Sequence, residues 1–342
     1  MTADVDRLAA IVALGYTERE AAFLDRVARH SGYFVRRQFL QFIGRASGQT
    51  VVDFTAKLVA RRHATVQTYC YAAQVVHLCA RTLYAAAAVD ERREHRRRRP
   101  AIGIKARLMA LDYVLARPTT RFLATEAERL AFCDATGIDR FWLPQQRYVG
   151  PPDGPSSMRY FVDAGPMGLE SGGVGQTSLV LAYIDGGDLA ATSFEAFLRR
   201  YWPVWAALRG ARVVYVAETS RRFASVAATF RRVWADVERT HRGSPVTDLP
   251  AFFDYCRLRR AFDAKDWAAL DKAALDRFRD LRLRFGGHDR DRLYGQWETR
   301  GEEAVRQAIA RPPSLERDRA GELETCVLTH SYVATSPIGG RR

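Results

Sequence analysis

The sequence predicts a protein of mixed α+β and α/β class that is built from two main parts. Within residues 1–90, three stretches with helical spacing of apolar residues come before two short runs in which apolar and polar residues alternate. From Met158 onward, strand-like runs alternate with amphipathic helical stretches, which is typical of a mixed sheet covered by helices. The last third is highly charged and has helical spacing, so it predicts a helical C-terminal extension.

These patterns divide the chain into three expected regions. We expect residues 1–90 to form an N-terminal domain, residues 91–150 a basic and helical connector, and residues 151–342 an α/β domain with a helical C-terminal part. A chain of 342 residues with 47% hydrophobic residues is long enough for two domain-sized cores.

The first predicted helix begins at a capping box. In Thr17-Glu18-Arg19-Glu20 the Thr17 hydroxyl accepts from the third helical amide, while Glu20 reaches back to the amide of the cap residue. Apolar residues then recur at spacings of three and four, and His30-Ser31-Gly32 gives a stop signal. We therefore expect a helix from Thr17 to about His30.

Two further helices are predicted, from about Val35 to Ile43 and from Ser47 to about Arg62. Gly44 ends the earlier one, and Ser47 is a candidate cap for the later one. In the later helix Val51, Phe54 and Leu58 form the expected buried side. Its polar face is expected to consist of Thr50, Asp53, Lys57 and Arg61.

After Arg62 the period changes to two, and residues 64–71 and 75–79 predict a β hairpin. Three helices and a hairpin in this order indicate a winged helix-turn-helix, in which the last helix enters the major groove of DNA with its N-terminal residues at the base edges. We therefore expect Gln49 and Thr50 to contact bases. Phosphate contacts are expected from Arg36, Arg37, Arg45, Lys57, Arg61 and Arg62, with Gln38 beside them. The alternative is a small α+β domain whose basic residues are only a solvated surface.

Charge favours the nucleic-acid interpretation. Residues 1–100 contain 17 Lys and Arg against 9 Asp and Glu, a net +8 within a whole-chain net charge of +14. A basic block near residue 95 would release counterions from DNA phosphates and make binding dependent on salt. The block consists of Arg92, Arg93, Arg96, Arg97, Arg98 and Arg99. A solvated, partly disordered linker is the alternative, and both descriptions hold for an arm that orders on DNA.

Composition excludes several other classes. No apolar run approaches the roughly 20 residues of a membrane helix, and the start of the chain lacks the pattern of a signal peptide, so we expect a cytoplasmic protein without a membrane partner. The five cysteines are scattered and form no C-x-x-C pair, which indicates neither a disulfide framework nor a zinc site. No cofactor is expected.

The second part predicts a mixed sheet. Residues 158–163, 178–185 and 211–217 have the character of strands, and helices are expected over residues 194–208 and 221–237. In the connector before them, Ile104, Leu108, Leu111 and Val114 predict a helix over about residues 102–115, and a capping box at Thr125 starts another. A last short strand is expected over residues 325–329.

A family resemblance follows from this order of elements. The N-terminal arrangement, the segment Ala80-Arg81-Thr82-Leu83-Tyr84 and the later unit of two strands ending in Asp, a helix, a strand and an Arg-Arg pair resemble the replication-relaxation family of bacterial plasmids and mobile elements. Members of that family join a winged helix-turn-helix to a domain that resembles the PD-(D/E)XK nuclease fold. The resemblance covers about residues 15–235 and implies a DNA-associated role in maintaining such an element.

Asp163 and Asp185 are the candidate nuclease residues. A PD-(D/E)XK site needs carboxylates that hold a divalent metal and a Lys two residues after the second acidic residue. Both aspartates are expected at the ends of adjacent strands, but Gly187 stands where the Lys would be. We therefore interpret the core as degenerate and assign no catalytic residue or metal, with a Mg²⁺-dependent nuclease as the alternative function.

The glycine-rich segment Gly172–Ser178 raises a second alternative, a nucleotide-dependent partition-type switch. It resembles a phosphate-binding loop, but Gln176 stands in place of the Lys and the following residues favour a strand over the helix that such a loop must open. The preferred interpretation is a glycine turn between two strands.

Together these features predict a double-stranded DNA-binding protein, sequence-specific or semi-specific, that acts as a transcription regulator or as a replication or maintenance factor. The α/β domain is expected to be a scaffold, a dimerisation surface or a site for a protein partner. A homodimer is expected because winged-helix proteins commonly read two half-sites.

Overall fold

The computed structural model describes residues 2–45, 48–69, 74–138, 140–148, 157–162, 165–172, 176–187, 191–205, 208, 211–242, 248–285, 288–310 and 322–332. Over these residues the chain is a mixed α/β protein with two principal sheets. A single helix packs between those sheets, and the remaining helices cover their outer faces or form a separate cluster.

The N-terminal unit starts with a helix that the sequence analysis missed, α1 (Thr2–Ala13), which buries Ile11. The predicted capping box at Thr17 is present, with Glu20 accepting from the Thr17 amide at 2.8 Å. A three-residue strand, β1, was also missed. The elements that follow α1 are α2 (Glu18–His30), β1 (Tyr33–Val35), α3 (Arg36–Phe42), α4 (Gln49–Ala60), β2 (Ala64–Thr68), β3 (Gln74–Leu78) and α5 (Arg81–Ala86). Gly48 occupies the cap position of α4, and the expected cap Ser47 lies outside the described residues.

The first sheet has the strand order β1-β3-β2, and both pairs are antiparallel. Because side chains alternate across a strand, its two faces differ. Phe34 and Val76 are paired and join the core formed by α1, α2 and α4. Tyr33 and His77 are also paired and lie on the opposite face, where the rings stack at 4.2 Å.

Helix α7 (Ala101–Leu115) lies between the two principal sheets. Its buried Ile104, Leu108, Met109 and Tyr113 share a core with residues of the first sheet, such as Val75, and of the second sheet, such as Val214. A helix buried on both sides needs apolar residues around most of its circumference. The N-terminal unit is therefore joined to the α/β unit through a continuous apolar core.

The second sheet has the strand order β10-β9-β8-β7-β4. Strands β8, β9 and β10 are parallel, whereas β7 and β4 pair antiparallel. The strands are β4 (Arg121–Phe122), β7 (Met167–Gly172), β8 (Gln176–Ile184), β9 (Arg212–Ala217) and β10 (Glu322–Val327). Helices α9 (Ala191–Trp205) and α10 (Phe223–Arg242) cover the face opposite α7 with side chains such as Leu198, Trp205 and Val233.

Two predictions about this sheet were wrong. Residues 158–163 were expected to form one of its strands, but the strand found there, β6 (Ser157–Tyr160), pairs only with β5 (Gln145–Tyr148) in a separate hairpin. The boundary at residue 150 also fails, because β4 and helix α8 (Glu126–Ala135), assigned to the connector, contribute a strand and Cys133 to the second unit. The capping box at Thr125 is present.

The C-terminal part is helical, as predicted, until β10 returns to the sheet. Helices α11 (Leu249–Asp263), α12 (Lys272–Phe285) and α13 (His288–Ala310) form their own core around residues such as Phe252 and Phe285. Gly301, with φ +80°, interrupts α13. No helix among the described residues has both the length and the apolar character needed to cross a bilayer. Cys79, Cys133, Cys256 and Cys326 are free thiols.

Candidate nucleic-acid interface

Helix α4 is buried along one side and exposed along the other. Val51, Phe54, Thr55 and Leu58 form the buried side. The exposed ridge consists of Gln49, Asp53, Ala56 and Ala60, with the exposed Val52 and Val59 on one flank. This ridge is narrow because most of its side chains are small, so another surface can approach the helix closely.

The two predicted base-contact residues lie in the first turn of α4 and are exposed. Gln49 donates from Nε2 to Oδ1 of Asp53 at 2.9 Å. Thr50 accepts at Oγ1 from Nη1 of Arg45 at 3.3 Å. The Gln49 amide therefore keeps its oxygen and one N–H available for a further partner.

Lys57 is engaged inside the unit rather than free for phosphate. Its Nζ contacts both carboxylate oxygens of Glu20, at 2.9 and 2.7 Å, and lies 5.7 Å from the ring centre of Tyr16. Glu20 is largely buried, so Lys57 supplies the charge that this carboxylate needs. The assignment of Lys57 to DNA phosphate is therefore corrected.

The arginines at the end of α4 differ from each other. Arg61 donates to the carbonyl of Leu14 at 2.5 Å, and its guanidinium lies 5.7 Å from the ring centre of Tyr16. Arg62 has φ +57° and is exposed, and its side chain forms no hydrogen bond or ion pair with another described residue. Both residues are accessible, but of the two only Arg62 has all its side-chain donors unused within the described part of the chain.

The start of α3 does not form the predicted contact surface. Gln38 is fully buried, and the two N–H groups of its Nε2 face three acceptors: Oδ1 of Asp112 at 2.8 Å, the carbonyl oxygen of Leu108 at 2.9 Å and the hydroxyl oxygen of Tyr332 at 3.0 Å. Arg37 forms a two-point ion pair with Asp112 at 3.1 and 2.8 Å and lies over the Tyr332 ring. Gln38 is thus removed from the DNA-binding set, and Arg37 is a structural ion-pair partner. Arg36 is half-buried, and its Nε has no partner among the described residues.

The arginine block, which we call the strap (residues 92–99), is held against the protein by hydrogen bonds. The Tyr33 hydroxyl donates to the carbonyl of Arg97 and accepts from the amide of Arg99, both at 3.0 Å. His77 donates from Nε2 to the carbonyl of His95 at 2.9 Å. The strap contains a short helix, α6 (Arg93–Arg96). The disorder expected in the linker alternative is therefore wrong, whereas its solvated character agrees with the exposed Arg93, Arg97 and Arg98.

The strap and α4 lie on opposite faces of the first sheet. Tyr33 and His77, which hold the strap, point away from the core into which α4 packs. The residues predicted to form one DNA-binding surface are thus split into two. One surface carries Arg45, Gln49, Thr50, Arg61 and Arg62, and the other carries the exposed Arg93, Arg97 and Arg98. Arg92, Arg96 and Arg99 are partly buried within the strap.

The acidic residues give no support to the nuclease alternative. Asp185 follows β8 and is buried. Its Oδ1 accepts from the Gly187 amide at 2.8 Å. Its Oδ2 accepts from the Tyr215 hydroxyl and, at 3.2 Å, from Nη1 of Arg222. Burial and the Asp185 carboxylate raise the pKa of Tyr215. Asp163 lies outside the described residues, and the strand predicted to carry it does not pair with β8. Among the residues the structure describes, no three His, Cys, Asp or Glu side chains are placed to hold a metal ion.

Sequence reasoning missed two charged groups at this end of the sheet. Glu218 directly follows β9 and forms an ion pair with Nζ of Lys105 at 2.7 Å. The Lys105 Nζ also lies 3.7 Å from the point where a Cβ on Gly187 would stand, near the position at which a nuclease lysine was sought. The position of Glu218 directly after a buried strand could have identified it from the sequence. Nothing in the sequence indicates that Lys105 of α7 lies close to Gly187.

The nucleotide-switch alternative is contradicted. Strands β7 and β8 form an antiparallel hairpin whose pairing extends to Gly172 and Gln176. Residues 173–175 lie outside the described residues, but the chain after them enters a strand and not a helix. A phosphate-binding loop must open a helix whose N-terminal amides face the phosphate, so this segment lacks the required geometry.

Comparison of the chain with models of known protein families, with curated proteins and with solved structures gives no match to any of the three. The resemblance to the replication-relaxation family therefore stays a prediction.

Proposed function

We propose that the N-terminal unit is a winged helix that binds double-stranded DNA through α4. The observation that carries this proposal is the order of elements in the unit, α2-β1-α3-α4-β2-β3 with the sheet order β1-β3-β2, together with an exposed α4. In proteins of this kind the helix at the position of α4 lies in the major groove.

The exposed side of α4 supports this proposal by its shape. The helix has 12 residues, hence a length of about 18 Å at 1.5 Å per residue, and its ridge is built largely from small side chains. The major groove is about 12 Å wide and admits an α-helix. The side-chain amide of Gln49 can form two hydrogen bonds with adenine, and exposed alanine and valine side chains can make apolar contacts with the methyl group of thymine.

The charges around α4 also support it. Arg45 lies before the helix and Arg61 and Arg62 lie just after it, so positive side chains flank the ridge at both ends. Contacts of this kind set affinity and orientation on the duplex, while Gln49 and Thr50 would determine sequence preference. The biological role that we propose, a regulator or maintenance factor of a plasmid or mobile element, rests on the family resemblance alone.

The experiment compares salt dependence in two matched double variants. Arg45→Gln with Arg62→Asn removes two charges beside α4, and Asn tolerates the left-handed backbone of residue 62. Arg93→Gln with Arg98→Gln removes two exposed charges on the opposite face. Fluorescence anisotropy with a duplex selected from a randomised pool gives the affinity at each salt concentration.

We expect the α4 pair to make the slope of log K against log salt shallower by about 1.8 for each bound protomer, since each lost phosphate contact removes about 0.9. The strap pair is expected to leave the slope unchanged. Equal losses in both pairs, or no binding by the wild type, would contradict the proposal. Gln49→Ala is expected to change the selected sequence more than the affinity.

We further propose that the protein binds DNA as a homodimer, because two copies of such a unit commonly read two half-sites. Light scattering with and without the selected duplex measures the mass directly. A monomeric mass in both samples contradicts this part of the proposal without affecting DNA binding itself.

A further inference from the structure

A histidine of the strap lies at the centre of a group of arginines. His95 is fully buried, and its Nδ1 lies 2.9 Å from the carbonyl oxygen of Ala28. A carbonyl can only accept, so Nδ1 carries the hydrogen. Burial and the neighbouring arginines keep the pKa of His95 well below its usual value, and the ring is therefore neutral, with a single lone pair at Nε2.

Two guanidinium groups converge on that lone pair. Nη1 of Arg107, on α7, lies 2.6 Å from Nε2, and Nη1 of Arg92 lies 3.2 Å from it. One lone pair accepts one hydrogen fully, so the second guanidinium is only partly satisfied there. The two Nη1 atoms are less than about 6 Å apart, since each lies close to the same nitrogen.

The carboxylate of Glu94 balances only part of the positive charge of this pair. The nearest carboxylate, that of Glu94, lies 3.7 Å from Arg92 and is itself 43% exposed. Arg107 has no ion-pair partner within the described ranges, and Arg99 adds a further positive charge close to it. Burial, Arg99 and Arg92 lower the pKa of Arg107 to about 10, so it remains charged at pH 7. One half-exposed carboxylate thus faces two guanidinium groups, and a partly buried charge that lacks a full counter-charge is costly, which favours an anion at this place.

We propose that Arg92 and Arg107, held by His95, form a binding site for a phosphate group. Guanidinium groups present planar forks that match phosphate oxygens two at a time, and two forks at this separation can hold one tetrahedral group between them. The Arg92 side chain is 15% exposed, so a ligand can reach it from solvent.

This site is separate from the surface proposed for DNA. Tyr33 and His77 bind the strap on the sheet face opposite α4, so a duplex on α4 does not pass over Arg92 and Arg107. The ligand chemistry is phosphate, carried either by a small molecule or by a second stretch of nucleic acid.

The test uses inorganic phosphate as the probe. Isothermal titration calorimetry of the full chain, with chloride at matched ionic strength as the blank, is expected to show one site in the wild type. Arg107→Met and Arg92→Met are each expected to raise the Kd at least tenfold. Arg93→Met, which removes an exposed arginine of the same strap, is expected to leave the Kd within twofold.

Further arms keep the test decisive. Arg107→Lys retains the charge but loses the fork, so its Kd should lie between those of the wild type and Arg107→Met, and it replaces Arg107→Met if that variant does not fold. If Arg107→Met also weakens DNA binding and phosphate competes with DNA, the phosphate group belongs to nucleic acid. If DNA binding is unchanged, the group belongs to a small molecule. Absence of heat in the wild type, or equal Kd values in all four proteins, overturns the proposal.

Discussion

His95 should make the stability of the protein fall in mild acid. The unfolded chain binds a proton at this residue below about pH 6.5, whereas the folded chain does not, because its His95 pKa is held well below that value. In this window the unfolded state carries more protons, so the free energy of unfolding decreases as the pH falls. The loss is at most about 1.4 kcal/mol per pH unit, which limits it to about 2 kcal/mol between pH 6.5 and 5.0.

The assay compares urea denaturation of the wild type and His95→Gln at pH 7.5, 6.0 and 5.0. Glutamine can donate to the Ala28 carbonyl and accept from an arginine as the neutral ring does, but it does not titrate. The variant should therefore lose less stability than the wild type on acidification, and the difference is at most about 2 kcal/mol. His330→Gln, at an exposed histidine, should follow the wild type. If His95→Gln shows the wild-type pH dependence, the ring is not buried neutral and our account of the strap fails.

Three further variants test other contacts. Gln38→Leu should lower the free energy of unfolding by about 1–3 kcal/mol, because Asp112 and the Val35 amide lose hydrogen-bond partners. If this variant instead keeps its stability and binds DNA more weakly, Gln38 belongs to the DNA-binding surface after all. Gly15→Ala should lower the free energy of unfolding by about 1–3 kcal/mol, since residue 15 has φ +90° and a Cβ would clash with the Arg61 guanidinium. An unchanged melting temperature would contradict this expectation. Asp185→Ala should cost about 1–3 kcal/mol, because the buried Tyr215 hydroxyl loses its acceptor while Arg222 remains half-exposed. A loss of stability below about 1 kcal/mol would show that these bonds are weak.

Local signals in the sequence predicted the N-terminal unit well. The capping box at Thr17, the buried positions of α4 and the period of two predicted over residues 64–71 and 75–79 all depend on residues close together in the chain. The structure contains the capping box, the buried positions and a hairpin whose strands cover residues 64–68 and 74–78. Helix α1 was missed although Ile11 is buried, and β1 was missed because three residues are too few to establish a period.

Other predictions were wrong because they depend on contacts between residues that are far apart in the chain. Gln38 and Arg37 were placed on the DNA surface because their partner, Asp112, is more than 70 residues away in the chain. Strand β7 was missed because its glycines suggested turns. Gly168 is in fact needed for packing, since a Cβ there would stand 2.5 Å from the side chain of Thr120 beside β4.

The contact between Gln38 and Tyr332 links residues that are 294 positions apart. During synthesis the N-terminal unit leaves the ribosome first, yet its α3 and the neighbouring α7 lack one buried hydrogen-bond partner until residue 332 has emerged. The polar network around Asp112 is thus completed at a late stage of translation. A nascent or truncated chain that stops before β10 would expose this network to water, and chaperones and proteases could then distinguish it from the finished protein.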